Sequence, residues 1–205
     1  MNRRGLSLIE MLLAISITSV IGAAIASMMA AATTSLTSKN DGRQSAIRLA
    51  TTQVRLGAYI APSLCILDKG NTFLTLWNED SRDSDTVHAS EIRWIRFDSE
   101  EKTLNVYFVD FPEEWSQAMI DAADVECNAL TNYESLFNGL QSDNIIASIA
   151  LVDNMQSCAF WINTTNPIES TRVCIRFSFD SSFGETNDAM IDESIRMHHA
   201  PSEQP

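Results

Sequence analysis

Hydrophobic and polar positions divide this chain into two unlike parts. From Leu6 to Leu36 every position is apolar or small and uncharged except Glu10. Ala, Met, Leu and Ile dominate the run and no proline interrupts it, so the pattern predicts one continuous helix. Thirty-one residues extend roughly 46 Å at 1.5 Å per residue. That exceeds the ~30 Å hydrocarbon layer of a bilayer, so such a helix can span and continue beyond it. Arg3 and Arg4 precede the run, which orients the basic end to the cytoplasm and the remainder outward.

From Lys39 the pattern turns amphipathic. Ala46, Ile47, Ala50 and Val54 recur at three- and four-residue spacing, with Arg43, Arg48 and Arg55 mostly elsewhere, which predicts that this face lies on the following domain. Gly42 is a candidate bend, and Gly57 and Pro62 bracket the helix end near residue 60. Beyond Pro62 the runs become strand-like. Asn71–Asn78 alternates about Phe73 and Leu76, and Ile92–Phe97 and Leu104–Val109 form a hairpin about an acidic turn at Asp98–Glu101, closed by Pro112. Glu113–Leu130 reads as a short helix or an irregular excursion. Strands follow around Ile145–Leu151, Ser157–Ile162 and Thr171–Asp180, the last with Val173, Ile175, Phe177 and Phe179 on one face. The expected fold is α+β: a long N-terminal transmembrane and stalk helix (6–60) packed on a mainly antiparallel β-sheet domain (61–199). A tail over 200–205 is expected to be disordered.

Composition removes several functions. A formal net charge of −13 and a pI near 4.5 leave no cationic footprint for nucleic acid. HExxH, GxSxG and a Gly-rich phosphate loop are absent, so no enzyme motif is present. His88 falls in a polar loop, and the pair His198 and His199 is too few for a closed metal site. The acidic stretch Asn78–Asp85 offers oxygen ligands for calcium but lacks the EF-hand glycine and bidentate glutamate, and reads as a solvated loop; no metal or cofactor is expected. Trp77, Trp94, Trp115 and Trp161 are expected in the core or at subunit contacts.

Four cysteines, Cys65, Cys127, Cys158 and Cys174, all follow the apolar run and form no CxxC pair. An even number beyond a membrane segment suits disulfides in an oxidising compartment, and free buried thiols are an equal alternative. Should Thr171–Asp180 pair back on Ser157–Ile162, Cys158 and Cys174 fall nearly opposite. That favours a Cys158–Cys174 bridge and leaves Cys65 with Cys127.

Glu10 is the residue that the pattern alone does not explain. A carboxylate within an apolar helix costs about 2.5–3.5 kcal/mol at the bilayer centre, less near its end, and demands a partner. A secretory signal with a cut after Ala30-Ala31-Ala32 is excluded by length, since apolar cores of such signals run about 7–15 residues. A plain anchor leaves Glu10 idle. The sequence RRGLSLIEMLLAISI resembles the prepilin N-terminus shared by type IV pilins, type II secretion pseudopilins and competence pseudopilins. The resemblance implies a leader at 1–5, cleavage by prepilin peptidase between Gly5 and Leu6, N-methylation of Leu6, and a Glu10 that pairs with a neighbouring subunit's new amine. Leu6 stands where phenylalanine or methionine is commoner, and Gly22 and Ser27 stand where many major pilins carry a proline.

The run LVDNMQSCAFWI…TRVCIRFSFD further resembles the C-terminal sheet of minor pseudopilins of the J type and minor pilins of the W type. Its implied partners are other pilin or pseudopilin subunits, the peptidase, the inner-membrane assembly platform and the inner membrane itself. Its implied location is single-pass inner membrane with a periplasmic domain, then the filament. The expected role is structural and non-enzymatic. The competing reading is a periplasmic enzyme or ligand-binding module on an uncleaved anchor.

Overall fold

The computed structural model describes residues 8–82, 84–128, 130–180 and 186–202. The chain divides into two compact units, Met1–Ala46 and Ile47–Pro205. Helix α1 runs Leu8–Ile60 and contributes to both.

In the second unit α1 is followed by β1 (Cys65–Lys69), β2 (Phe73–Trp77), β3 (Val87–His88), β4 (Ile92–Asp98) and β5 (Thr103–Val109). Next come α2 (Gln117–Ala123), β6 (Glu126–Cys127), α3 (Tyr133–Ser142), β7 (Ile146–Val152), β8 (Met155–Ile162), β9 (Arg172–Asp180) and β10 (Thr186–Ser194). A five-stranded sheet has the order β1-β2-β4-β5-β7, a three-stranded sheet the order β10-β9-β8, and β3 pairs β6. All pairings are antiparallel. The fold is therefore α+β, an N-terminal apolar helix followed by a mostly antiparallel domain, as the patterning predicts.

Alternation along the central strands gives the five-stranded sheet two apolar faces. Ile66, Leu74, Leu76, Ile95, Leu104 and Val106 belong to one core. Their neighbours Cys65, Leu67, Trp77, Ile92 and Trp94 belong to another. The first core is closed by Leu56 and Ile60 of α1 and by the three-stranded sheet through Phe160, Val173, Ile175, Phe177 and Phe179. The second is closed by Tyr133, Phe137 and Leu140 of α3. Asn132 caps α3, its side chain accepting from the Glu134 and Ser135 amides, which satisfies two donors that a helix start leaves open.

The amphipathic face of α1 differs from the one predicted. Ile47 and Val54 are 56% and 73% exposed, whereas Thr52, Leu56 and Ile60 are buried and Leu49 packs on the same core. Two stripes of helical spacing compete here, and the one carrying the larger side chains wins. Full burial of a Leu or Ile stabilises by about 1.5–3 kcal/mol, far more than an alanine offers.

The cysteine pairing also needs correcting. Strands β8 and β9 do pair, but Cys158 lies opposite Phe177 and Cys174 opposite Trp161. The connection, with a 3-10 turn at Pro167–Glu169, shifts the register away from the one assumed. Cys158 points into the core with Phe160, while Cys174 alternates with buried Val173 and Ile175 and so faces outward. A disulfide needs Cβ atoms about 3.5–4.5 Å apart, which opposite faces do not provide. Cys65 and Cys127 are both buried in the second core, and all four cysteines are free thiols.

The chain end is tied down further than predicted. The Arg196 amide donates to the Ala61 carbonyl and the His199 amide to the Leu64 carbonyl. The Ser202 amide and hydroxyl donate to the Asp85 carbonyl at 2.8 and 2.9 Å. Residues 203–205 of the expected tail lie outside the described ones.

Candidate functional site

Gly5 and Leu6 lie outside the described residues. Glu10 is placed by its backbone, within α1. In the sequence Glu10 follows Leu6 by four positions.

The segment after Glu10 is built for an apolar solvent. Met11–Ala30 comprises 20 residues of mean hydropathy 2.1, long and apolar enough to cross a membrane. Ile9, Met11, Leu12, Leu13, Ile15, Ile17, Val20, Ile21, Ile25, Met28 and Met29 are all exposed, on every side of the helix. A helix apolar all round is one that lipid or other helices cover. Its hydroxyls are satisfied internally. Ser16 Oγ donates to Leu12 O at 2.7 Å, Thr18 and Ser19 to Ile15 O, and Ser27 to Ala24 O at 2.8 Å. Such back-bonding removes polar atoms that hydrocarbon cannot solvate.

The folded domain contains buried charge, but that charge is structural. Glu91 is 0% exposed. Its carboxylate accepts from Trp77 Nε1 at 3.1 Å, Ser81 Oγ at 3.0 Å, the Arg82 amide at 3.0 Å and the His88 amide at 3.1 Å. Asp124 accepts from the Ser90 amide and hydroxyl and pairs with Arg82 at 2.8 Å. Among the described residues the donors these carboxylates meet belong to the loop 78–90 or an adjoining strand, so the carboxylates hold that loop. In the acidic stretch Asp80 accepts from the Ser84 and Asp85 amides. Among the described residues no group of three or more His, Cys, Asp or Glu stands together as a metal site.

Burial pushes the Cys65 and Cys158 thiols up to about 12. Cys127 also rises to about 12 by burial, reinforced by Asp124, Glu126 and Glu91. These three are not nucleophiles near neutral pH. A cleft of about 350 Å³ is lined by Tyr59, Pro62, Asn78, Arg93, Phe108 and Ile149. Its one cation, Arg93, already donates to the Ser90 and Ile92 carbonyls. The histidines expected to be incidental have protein partners: His198 reaches Ile168 O at 2.7 Å and His199 lies 3.4 Å from Asp85. Trp77 and Trp94 are core, Trp115 stacks on Phe111, and Trp161 is exposed.

Residues 1–32 match the prokaryotic N-terminal methylation motif. That match supports a type IV pilin-like protein processed by prepilin peptidase, and together with the apolar helix it supports anchoring in the inner membrane. No curated protein and no solved structure matches the chain.

Proposed function

We propose that this chain is a structural subunit of a type IV pilus or type II secretion pseudopilus, in the minor pilin or pseudopilin class of the J or W type. Prepilin peptidase cuts between Gly5 and Leu6, the Leu6 amine is methylated, and α1 holds the subunit in the inner membrane until the assembly platform draws it into the filament. Glycine before the cut lets the peptidase approach the backbone closely. Glu10 then pairs with the Leu6 amine of a neighbouring subunit inside an apolar filament core. Removing one partner of such a pair costs about 3–5 kcal/mol, because a lone charge stays buried. The domain lies on the periplasmic side, the orientation that the basic residues Arg3 and Arg4 favour.

One observation carries this reading: the residues that match the methylation motif, 1–32, include Met11–Ala30, a helix stretch apolar on all sides. The domain adds a compact body whose buried carboxylates are occupied by its own amides and hydroxyls. Mass spectrometry of the N-terminus tests the reading in cells with an active prepilin peptidase. A chain beginning at methylated Leu6 supports it, and an intact Met1 or a cut near Ala32 sinks it. Gly5→Trp is expected to block the cut. Glu10→Ala is expected to leave the cut intact and to impair incorporation into filaments; normal assembly of that variant rules out the charge pairing.

A further inference from the structure

A sheet edge carries unpaired backbone donors and acceptors, and folded proteins blunt such edges with charge, irregularity or cover. Strand β1 carries Asp68 and Lys69, shifts register between Ile66 and Asp68, and has the turn Pro167–Glu169 against it. Strand β10 carries Asp188, Asp192 and Glu193. On β8 the Met155 and Phe160 amides donate to the Lys102 and Asn71 carbonyls. Strand β7, last in the five-stranded order, is different. Over 146–150 it reads Ile-Ala-Ser-Ile-Ala, without charge or proline, and Ser148, Ile149 and Ala150 are exposed.

The backbone phase of this edge follows from its start. The Ile145 carbonyl accepts from the Asp110 amide at 2.9 Å, which turns Ala147 and Ile149 towards β5 and the N–H and C=O groups of Ile146, Ser148 and Ala150 outward. Beyond them the edge closes, where Arg55 of α1 donates to the Leu151 carbonyl. Ile149 lies opposite Val106 and Ala147 opposite Phe108, on the face that α1 covers. There Arg48, Thr51, Arg55, Leu151 and Asp153 line a pocket of about 170 Å³. Arg93, beside Ile149 in the larger cleft, already pairs with Glu79 at 3.7 Å. Arg48 and Arg55 do not: Arg48 lies 6.0 Å from the centre of the Phe179 ring, and Arg55 holds a neutral carbonyl. Among the described residues neither forms an ion pair. From Ile47 onward the sequence holds 25 Asp or Glu against 10 Lys or Arg, so a cationic pocket runs against the charge of its own domain.

We propose that β7 accepts an extended segment of a partner protein as an added strand, and that this segment alternates acidic with apolar residues. The open backbone groups set the extended form, since main-chain hydrogen bonds hold an added strand and alternate side chains select it. Alternate side chains of such a strand, about 6.6 Å apart, fall on the α1 face, where Arg48 and Arg55 favour carboxylates. The intervening ones lie beside Ile146, Ser148 and Ala150, which are uncharged and suit apolar neighbours.

The test uses the full chain in detergent micelles and a fluorescent peptide of alternating Glu and Val, about eight residues long. It is expected to bind saturably, to weaken as salt screens the arginines, and to slow hydrogen exchange at the Ile146, Ser148 and Ala150 amides. A Lys and Val counterpart is expected to bind about tenfold more weakly or worse. Arg48→Glu leaves the Arg55 contact in place and should narrow that preference several-fold. Ser148→Pro removes an outward donor, a change that an edge strand tolerates, and should abolish binding. Two central prolines in the peptide should do the same without touching the protein, so they decide the matter if Ser148→Pro lowers the melting temperature. Failure of the Glu and Val peptide to bind, equal binding of the two peptides, undiminished binding of the proline form, or protection confined to another strand overturns the proposal. Concentration-dependent protection of β7 without peptide also overturns it, because the edge then belongs to a second copy of the chain.

Discussion

Residues 11–30 and residues 47–60 belong to one helix and answer to different solvents. In the first stretch large apolar side chains are exposed on every side and hydroxyls fold back on the helix carbonyls. In the second only one narrow stripe, Leu49, Thr52, Leu56 and Ile60, enters the protein core. The first stretch exposes apolar side chains on every side, and a helix of that kind is stable where lipid or other helices cover it. The second is held by a core that exists because water surrounds it. Helix propensity alone would not separate the two; what differs is the width of the apolar surface.

The comparison breaks most sharply if the same polar substitution is made in both stretches. Leu56→Asp buries an unpaired carboxylate in the first core and is expected to unfold the domain, losing more than about 4 kcal/mol. Membrane fractionation of that variant should be unchanged. Ile21→Asp is expected to do the reverse, weakening membrane insertion by about 3 kcal/mol while the domain melts as before. Circular dichroism melts and membrane flotation read the two effects. If Leu56→Asp melts like the wild type, the assignment of the buried stripe is wrong.

A second contrast lies in pH dependence. Cys65, Cys127 and Cys158 are held near 12 by burial, above the ordinary thiol value of about 8.5. The folded state therefore keeps protons that the unfolded chain releases. The sign follows: this stability is fully present below about pH 8.5 and declines as pH rises from there towards 12. Each thiol is expected to cost about 1 kcal/mol per pH unit in that window. A melting series from pH 7 to 10 checks it, with Cys158→Ala expected to remove one thiol's share of the slope. A flat series would mean that burial does not hold these thiols protonated. Met11–Ala30 contains no ionisable group, so membrane retention should not change over the same range.

How much of this was legible in the sequence differs by region for physical reasons. The apolar helix stretch Met11–Ala30 was readable because its length and unbroken apolar run are local properties of the sequence. The hairpin β4–β5 was readable because its alternation and the turn at Asp98–Glu101 are local. Strand β10 escaped notice: Ile191 and Ile195 face inward, yet Asp188, Asp192 and Glu193 give the segment the look of a solvated loop. Helix α3 carried a usable signal in its Asn132 cap and the spacing of Tyr133, Phe137 and Leu140. The stripe on α1 was misjudged because the sequence offers two, and only the shape of the partner surface chooses between them. The cysteine register depended on the turn at Pro167–Glu169, which hydrophobic pattern cannot measure.

The smallest effect sharpens the comparison from inside the apolar stretch. A Cβ added at Gly22 meets nothing within 4 Å, so Gly22→Ala creates no clash. It removes the flexibility of glycine and should stabilise the helix by about 1 kcal/mol. The domain's melting temperature should not move, because Gly22 takes no part in either core. If the helix must loosen when the subunit leaves the bilayer for the filament, Gly22 is where the backbone yields most cheaply, since no proline stands nearby. Incorporation should then fall several-fold at unchanged processing, a ratio set by about 1 kcal/mol. Equal incorporation of Gly22→Ala and wild type would mean that the helix passes from lipid to filament intact, and that its apolar girth is its whole contribution.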